Sequence, residues 1–244
     1  MAAIFFIYGI FIGSFLNVCI YRIPKGKSVI YPPSTCGSCG HKLSFVDMIP
    51  IINYIAYKGK CRYCNTHYSI QYPLIELLNG ILCIFTYVKY GLSVYTIIYC
   101  ILISLLIIAS AIDLKHMIIP DSINISGAII GLILLVYDKS TIVDKLIGLL
   151  IGLGLFMFIG LITGAMGGGD VKLMAVLGLI FGIRGVLFVS IFSFILGALI
   201  SILLIMVKIK NRKDKIPFGP FISSAALMYI LYGGELISLY LKLF

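Results

Sequence analysis

The chain has 244 residues, 61% of them hydrophobic and only 11% charged, with a mean hydropathy of +1.13. Those shares exclude an ordinary soluble domain and describe a polytopic membrane protein. The net charge of +10 does not point to nucleic acid, because the basic residues are scattered among short segments between apolar runs and form neither a face nor an arm.

A helix needs about 20 apolar residues to cross a hydrocarbon core roughly 30 Å thick. Eight runs stand out in chain order: residues 2–20, 73–90, 94–112, 122–137, 146–166, 171–183, 185–207 and 217–240. The predicted fold is therefore an all-α polytopic membrane protein with about eight transmembrane helices. The first run lacks the basic n-region and small-residue cleavage site of a secretory signal, so it is predicted to stay as a helix. The sixth is short: its 13 residues rise only about 20 Å. It is either a span across a thinned bilayer or a re-entrant piece.

Basic residues set the sidedness, since short cytoplasmic loops collect Lys and Arg. Residues 22–72 carry seven against the single acid Asp47, and "KIKNRKDK", residues 208–215, carries five against Asp214. Eight spans put both segments in the cytoplasm with both termini outside; seven would separate them. The same count turns "IDLKHMIIPDS" and "GAMGGGDVK" toward the cytoplasm, at similar depth.

The loop between the first two runs contains Cys36, Cys39, Cys61 and Cys64, spaced C-x2-C, 21 residues, C-x2-C. That spacing predicts a four-thiolate tetrahedral Zn2+ site. Gly37 and Gly40 suit tight turns around a metal. The alternatives are two disulfides, which a reducing compartment disfavours, and a redox or merely structural thiol cluster. Four thiolates leave zinc no open position, so the metal would fold the loop and not catalyse. Cys19, Cys83 and Cys100 lie in apolar runs and read as core residues.

Acids within or beside spans are expensive and default to a functional reading. For Asp121, just after Pro120, N-capping of the fourth span is explanation enough; for Asp138 and Asp144, solvation is. Asp113 is different, because it ends an apolar run, where a negative charge opposes the helix dipole. Asp170 follows Gly167, Gly168 and Gly169, which leave room for backbone or substrate; helix capping is its alternative. Facing each other, the two carboxyls would share one proton and titrate as a pair. One would take a proton from an attacking water while the other, protonated, polarises an amide carbonyl. A membrane-boundary aspartyl protease follows. A proton- or metal-coupled transporter and a zinc-dependent adaptor without catalysis are the competing readings.

Six ordered blocks carry a resemblance: "GSFLNVCIYRIP" (13–24), the cysteine pairs, "YPLIELLNG" (72–80), "DLKHMIIPD" (113–121), "GAMGGGDVKLMA" (164–175) and "IPFGPF" (216–221). The chain resembles the bacterial type IV prepilin peptidases, within the GxGD class of intramembrane aspartyl proteases. The resemblance implies that Asp113 and Asp170 are the catalytic pair, with Gly167, Gly168, Gly169, Pro120 and Asp121 as the supporting loop. It implies eight spans in the bacterial cytoplasmic membrane and a site facing the cytoplasm. The implied substrates are type IV prepilins or pseudopilins, whose short basic leader is cut off, typically after Gly, just before the apolar helix. Many members then methylate the new N-terminus with S-adenosyl-L-methionine, an activity tied to the N-terminal region. On that basis residues 1–90, including the four-cysteine loop, are the methyltransferase part and residues 91–244 the six-span peptidase core. Glu76, one turn into the second span, is the candidate for touching the methyl donor or the incoming amine, with a structural hydrogen bond as its alternative.

Overall fold

The computed structural model describes residues 1–164, 166–211 and 214–243. Ala165 of the glycine turn and Arg212 and Lys213 of the basic 208–215 segment lie outside the described residues. The described residues are helical and form no sheet, apart from two isolated bridges. Five stretches are long and apolar enough to cross a membrane: Ala2–Lys25, Gln71–Tyr90, Val94–His116, Lys139–Thr163 and Gly168–Met206. A shorter apolar helix covers Asp121–Tyr137.

The chain divides into two compact units, Met1–Ile108 and Ala109–Phe244. In the first, α1 (Ala2–Arg22) packs antiparallel to α3 (Gln71–Tyr90), and the short α2 (Ile52–Ala56) lies in the loop between them. A Cβ on Gly9 would stand 2.7 Å from the Gly80 Cα, and one on Gly13 would stand 2.6 Å from the Glu76 Cα. Small residues therefore let the two backbones touch. Polar side chains complete the seam: Asn79 donates to the Gly9 carbonyl (2.7 Å) and Asn17 to the Tyr72 carbonyl (3.1 Å). The Ser104 hydroxyl of α4 (Val94–His116) donates to Asn79 Oδ1 at 3.0 Å. Unpaired polar groups are costly in hydrocarbon, so this ladder fixes the register of the first unit.

The second unit contains α5 (Asp121–Tyr137), α6 (Ile142–Thr163), α7 (Gly168–Met206) and α8 (Gly219–Leu243). α7 is its centre, packing against α5, α6 and α8. Gly148 and Gly152 of α6 press against α7 backbone, while Gly127 and Gly131 of α5 receive Val176 and Leu179.

Two sequence expectations change here. The runs 171–183 and 185–207 are the two helical arms of α7, parted at Gly182, whose φ of 72° and ψ of −168° are not helical and turn the chain without a loop. A bend frees backbone donors on its far side. Asp144, expected to be merely solvated, supplies an acceptor there: its Oδ1 receives the Ile183 N–H at 3.4 Å. Asp121 does not cap α5; Pro120 holds the N-cap position with no side-chain bond, and Asp121 is the first helical residue. Proline has no side-chain acceptor to offer as a cap; the Ile123 N–H bonds the Pro120 carbonyl at 3.1 Å.

Candidate active site and metal centre

Asp113 lies in the last turn of α4 and Asp170 in the first turn of α7, both in the second unit and both buried, at 5% and 8% exposure. Asp113 Oδ2 accepts the backbone N–H of Gly219, the first residue of α8, at 2.8 Å. Asp170 Oδ2 accepts the N–H of Gly167, the N-cap of α7, at 3.2 Å, while the Asp170 N–H donates back to the Gly167 carbonyl at 3.1 Å. Each carboxyl is thus held by a glycine N–H at a helix N-terminus, where unsatisfied donors and the positive end of the macrodipole gather. Both acids lie in the same unit, near enough that the charge of Asp113 is felt at Asp170. Asp170 Oδ1 is buried with no hydrogen-bond partner among the described residues. One oxygen of Asp170 therefore caps a helix while the other is left for something else.

The surrounding loop divides by what each residue touches. A Cβ on Gly169 would stand 2.9 Å from the Ile119 Cβ and 3.1 Å from its carbonyl oxygen, so this glycine lets the segment before Pro120 lie against α7. Gly168 faces open space, and a Cβ on Gly167 would meet only Asp170 Oδ2, at 3.3 Å. Asp121 points elsewhere, to an ion pair with Lys172 at 2.7 Å on the exposed surface. Gly219 was missed as a site residue by the sequence reasoning; the "IPFGPF" block was the signal. Its Phe218 anchors the approach, with ring centroids 5.2 Å from Phe194, 5.9 Å from Phe221 and 6.2 Å from the fully buried Phe156.

In the first unit the four loop cysteines converge, with all sulfur atoms within 4.8 Å of one another and Cys36 and Cys64 Sγ 3.8 Å apart. A tetrahedral site with Zn–S bonds of about 2.3 Å has edges of about 3.8 Å, so the donor set fits zinc. Two knuckles of the same design present the thiols. Cys36 N–H donates to the His41 carbonyl and Gly40 N–H to the Cys36 carbonyl, both at 2.9 Å. Cys61 and Asn65 repeat the pattern with Thr66, again at 2.9 Å. Gly40 (φ 69°) and Asn65 (φ 59°) hold the matching left-handed position; Gly37 is under no such demand. The Thr66 hydroxyl beside it brings the Cys64 thiol down to about 6, favouring the thiolate that binds metals. No disulfide links the described cysteines, and Cys19, Cys83 and Cys100 are buried. Glu76 is also buried, and its Oε2 accepts the Ile51 N–H at 2.8 Å.

This arrangement sits inside two family matches. Residues 7–90 match the bacterial peptidase A24 N-terminal domain, and residues 100–202, with both buried aspartates, match the type IV leader peptidase family. A prepilin leader peptidase/N-methyltransferase of Bacillus subtilis (strain 168) is 33% identical over 100% of this chain and 99% of its own length. The chain belongs to the type IV leader peptidase family. Enzymes of the same description are similar in Xanthomonas campestris pv. campestris, 30% identical over 96% of the chain and 92% of the relative. In Myxococcus xanthus the identity is 34% over 84% of the chain and 63% of the relative. No solved structure matches the chain with significance. Nothing in these matches supports the transporter reading. Gly219 lies beyond the segment matched by the family.

Proposed function

We propose that this leader peptidase family member is a membrane-embedded aspartyl endopeptidase acting on type IV prepilin or pseudopilin precursors. The observation that carries the reading is the pair Asp113 and Asp170: two buried carboxyls in electrostatic contact, each held by one glycine N–H, with Asp170 Oδ1 free to engage a water or a substrate. One proton shared by the pair lets one carboxyl draw a proton from water as it attacks the scissile carbonyl, while the other donates a hydrogen bond to the carbonyl oxygen. The tetrahedral intermediate collapses as the leaving amine takes up a proton. No covalent enzyme intermediate forms. The proton belongs to the pair, so neither residue is assigned a fixed role.

A prepilin presents a basic leader next to an apolar helix, so its scissile bond lies at the membrane boundary. Helical amides are bonded internally and resist hydrolysis, so the cut segment must enter extended; a glycine at the cut eases that unwinding. Of the supporting loop, Gly167 holds Asp170 and Gly169 receives Ile119, next to Pro120, while Asp121 is turned to Lys172. Counting the two arms of α7 separately gives eight spans in the cytoplasmic membrane, with the basic loops and both aspartates on the cytoplasmic side. Residues 91–244 would then be the peptidase core and residues 1–90 the methyltransferase part. Cys36, Cys39, Cys61 and Cys64 hold a structural zinc. The relatives' names support a second step, methylation of the newly exposed pilin N-terminus with S-adenosylmethionine as co-substrate.

The test is cleavage of a purified prepilin by wild-type enzyme and by Asp113→Asn, Asp170→Asn and Asp121→Asn. Loss of cleavage is expected in the first two variants and retention in the third. Full cleavage by either of the first two overturns the dyad.

A further inference from the structure

The chain between α1 and α3 contains two short helical turns, Val46–Met48 and α2 (Ile52–Ala56), and both are inside out. On α2, Ile52 and Ile55 are 63% and 70% exposed and Ala56 is exposed with them, whereas Asn53 turns inward and donates to the Asp47 carbonyl. On the neighbouring turn Val46 is exposed and Asp47 is buried. The Asp47 carboxylate accepts the Ser44 N–H at 2.9 Å, the Ser44 hydroxyl at 2.6 Å and the Tyr63 hydroxyl at 3.2 Å. Polar groups are thus used up inside the loop, and aliphatic side chains form its outer face. Facing water, that arrangement forfeits the burial that normally drives packing, so a contiguous outward apolar face marks a contact with something apolar.

The position of α2 says what that is. α1 and α3 are both long and apolar enough to cross a membrane and pack antiparallel, so the loop leaves and rejoins them at one membrane face. The Ile51 N–H, at the start of α2, donates to Glu76 Oε2 at 2.8 Å. Glu76 lies five residues beyond Gln71, where α3 begins, a rise of about 7.5 Å along that helix. α2 therefore starts below the end of the span, at the depth of interfacial helices, which sit roughly 5–10 Å into the headgroup boundary. The charges agree. Lys42, Lys58, Lys60 and Arg62 are all exposed, and Asp47, the one acid of the loop, is buried. Apolar side chains flanked by basic ones suit an anionic headgroup layer.

We propose that the face formed by Val46, Ile52 and Ile55 is an interfacial anchor that seats the cysteine loop in anionic lipid headgroups, with the apolar side chains reaching the upper acyl chains and Lys58 and Arg62 meeting phosphates. The anchor holds the loop against the bilayer between its two tethers, so the lipid surface closes the side of the loop that the protein leaves open.

The chain has no tryptophan, so Ile55→Trp places the sole indole on this face. The full-length variant is reconstituted in nanodiscs of phosphatidylcholine with or without phosphatidylglycerol, and its fluorescence is read against lipids brominated in the upper acyl chain and against aqueous acrylamide. Leu150→Trp, on an exposed position of α6, is the lipid-facing reference, and prepilin cleavage by each sample checks the fold. Brominated lipid is expected to quench Ile55→Trp to within about twofold of the reference, while acrylamide reaches it poorly. Lipid quenching is expected to strengthen with phosphatidylglycerol and to weaken when Lys58→Gln and Arg62→Gln are added. Ready quenching by acrylamide with no effect of brominated lipid overturns the anchor. Lipid quenching indifferent to phosphatidylglycerol overturns the anionic assignment. Shielding that appears only with prepilin present, or only with two copies in one disc, gives the face to a protein and overturns the proposal.

Discussion

Gly219→Ala probes the site through a residue that carries no chemistry of its own. The added Cβ would stand 2.7 Å from Asp113 Oδ2 and 3.2 Å from its Cβ and Cγ. Carbon–oxygen contacts settle at about 3.3 Å or more, so the carboxyl must retreat by about 0.6 Å. The same shift stretches the 2.8 Å bond from the Gly219 N–H, a hydrogen bond to a charged group of about 1.5–3 kcal/mol. Displacements of about 1 Å cost about a hundredfold in rate, and each 1.4 kcal/mol about tenfold. The two routes agree on a loss of roughly 10- to 100-fold in kcat/KM for prepilin cleavage. Alanine is at home in a first helical turn, so folding should survive, with metal content and detergent-solubilised yield as controls. Steady-state cleavage with purified prepilin is the assay. Wild-type kcat/KM in Gly219→Ala would refute the claim that this N–H positions Asp113.

Gly169→Ala should lower cleavage, because its Cβ meets Ile119 at 2.9 Å, whereas Gly168→Ala, facing open space, should cleave like wild type; equal rates would remove the distinction. Lys172→Met should shift the melting temperature little, since its pair with Asp121 is 57% and 66% exposed and such surface pairs are worth about 0–1 kcal/mol. Gly182→Ala should be strongly destabilising, read as loss of folded yield or a lower melting temperature. It places a Cβ at φ 72°, costing about 1–2 kcal/mol, and against the Asp144 carboxylate. Elemental analysis should find about one zinc per wild-type chain and none in Cys36→Ser; zinc retained by the variant would remove the four-thiolate assignment.

Much of this molecule is legible in order along the chain. Apolar runs marked the helices because a bilayer demands length and hydropathy, which are local properties. The cysteine pairs were legible because each knuckle is closed by its own backbone: Cys36 reaches only to His41, and Cys61 only to Thr66. Asp113 and Asp170 stood out because a carboxylate beside an apolar run is costly wherever it occurs. What those signals lack is the partner. Gly219 and Asp113 are 106 positions apart, and only the packing of the second unit sets that N–H against the carboxyl. Asp144 and Ile183 likewise meet over 39 positions, and that bond serves a bend whose single glycine resembles any other in an apolar run. The outward face of Ile52 and Ile55 became visible only once Glu76 had fixed where α2 lies. Sequence alone determined the class and singled out the four loop cysteines and the two acids, since each depends on residue type and near neighbours. Tertiary structure alone decided which distant backbone donors hold the acids and which apolar side chains are left facing outward, because pairing and exposure are properties of the packed molecule.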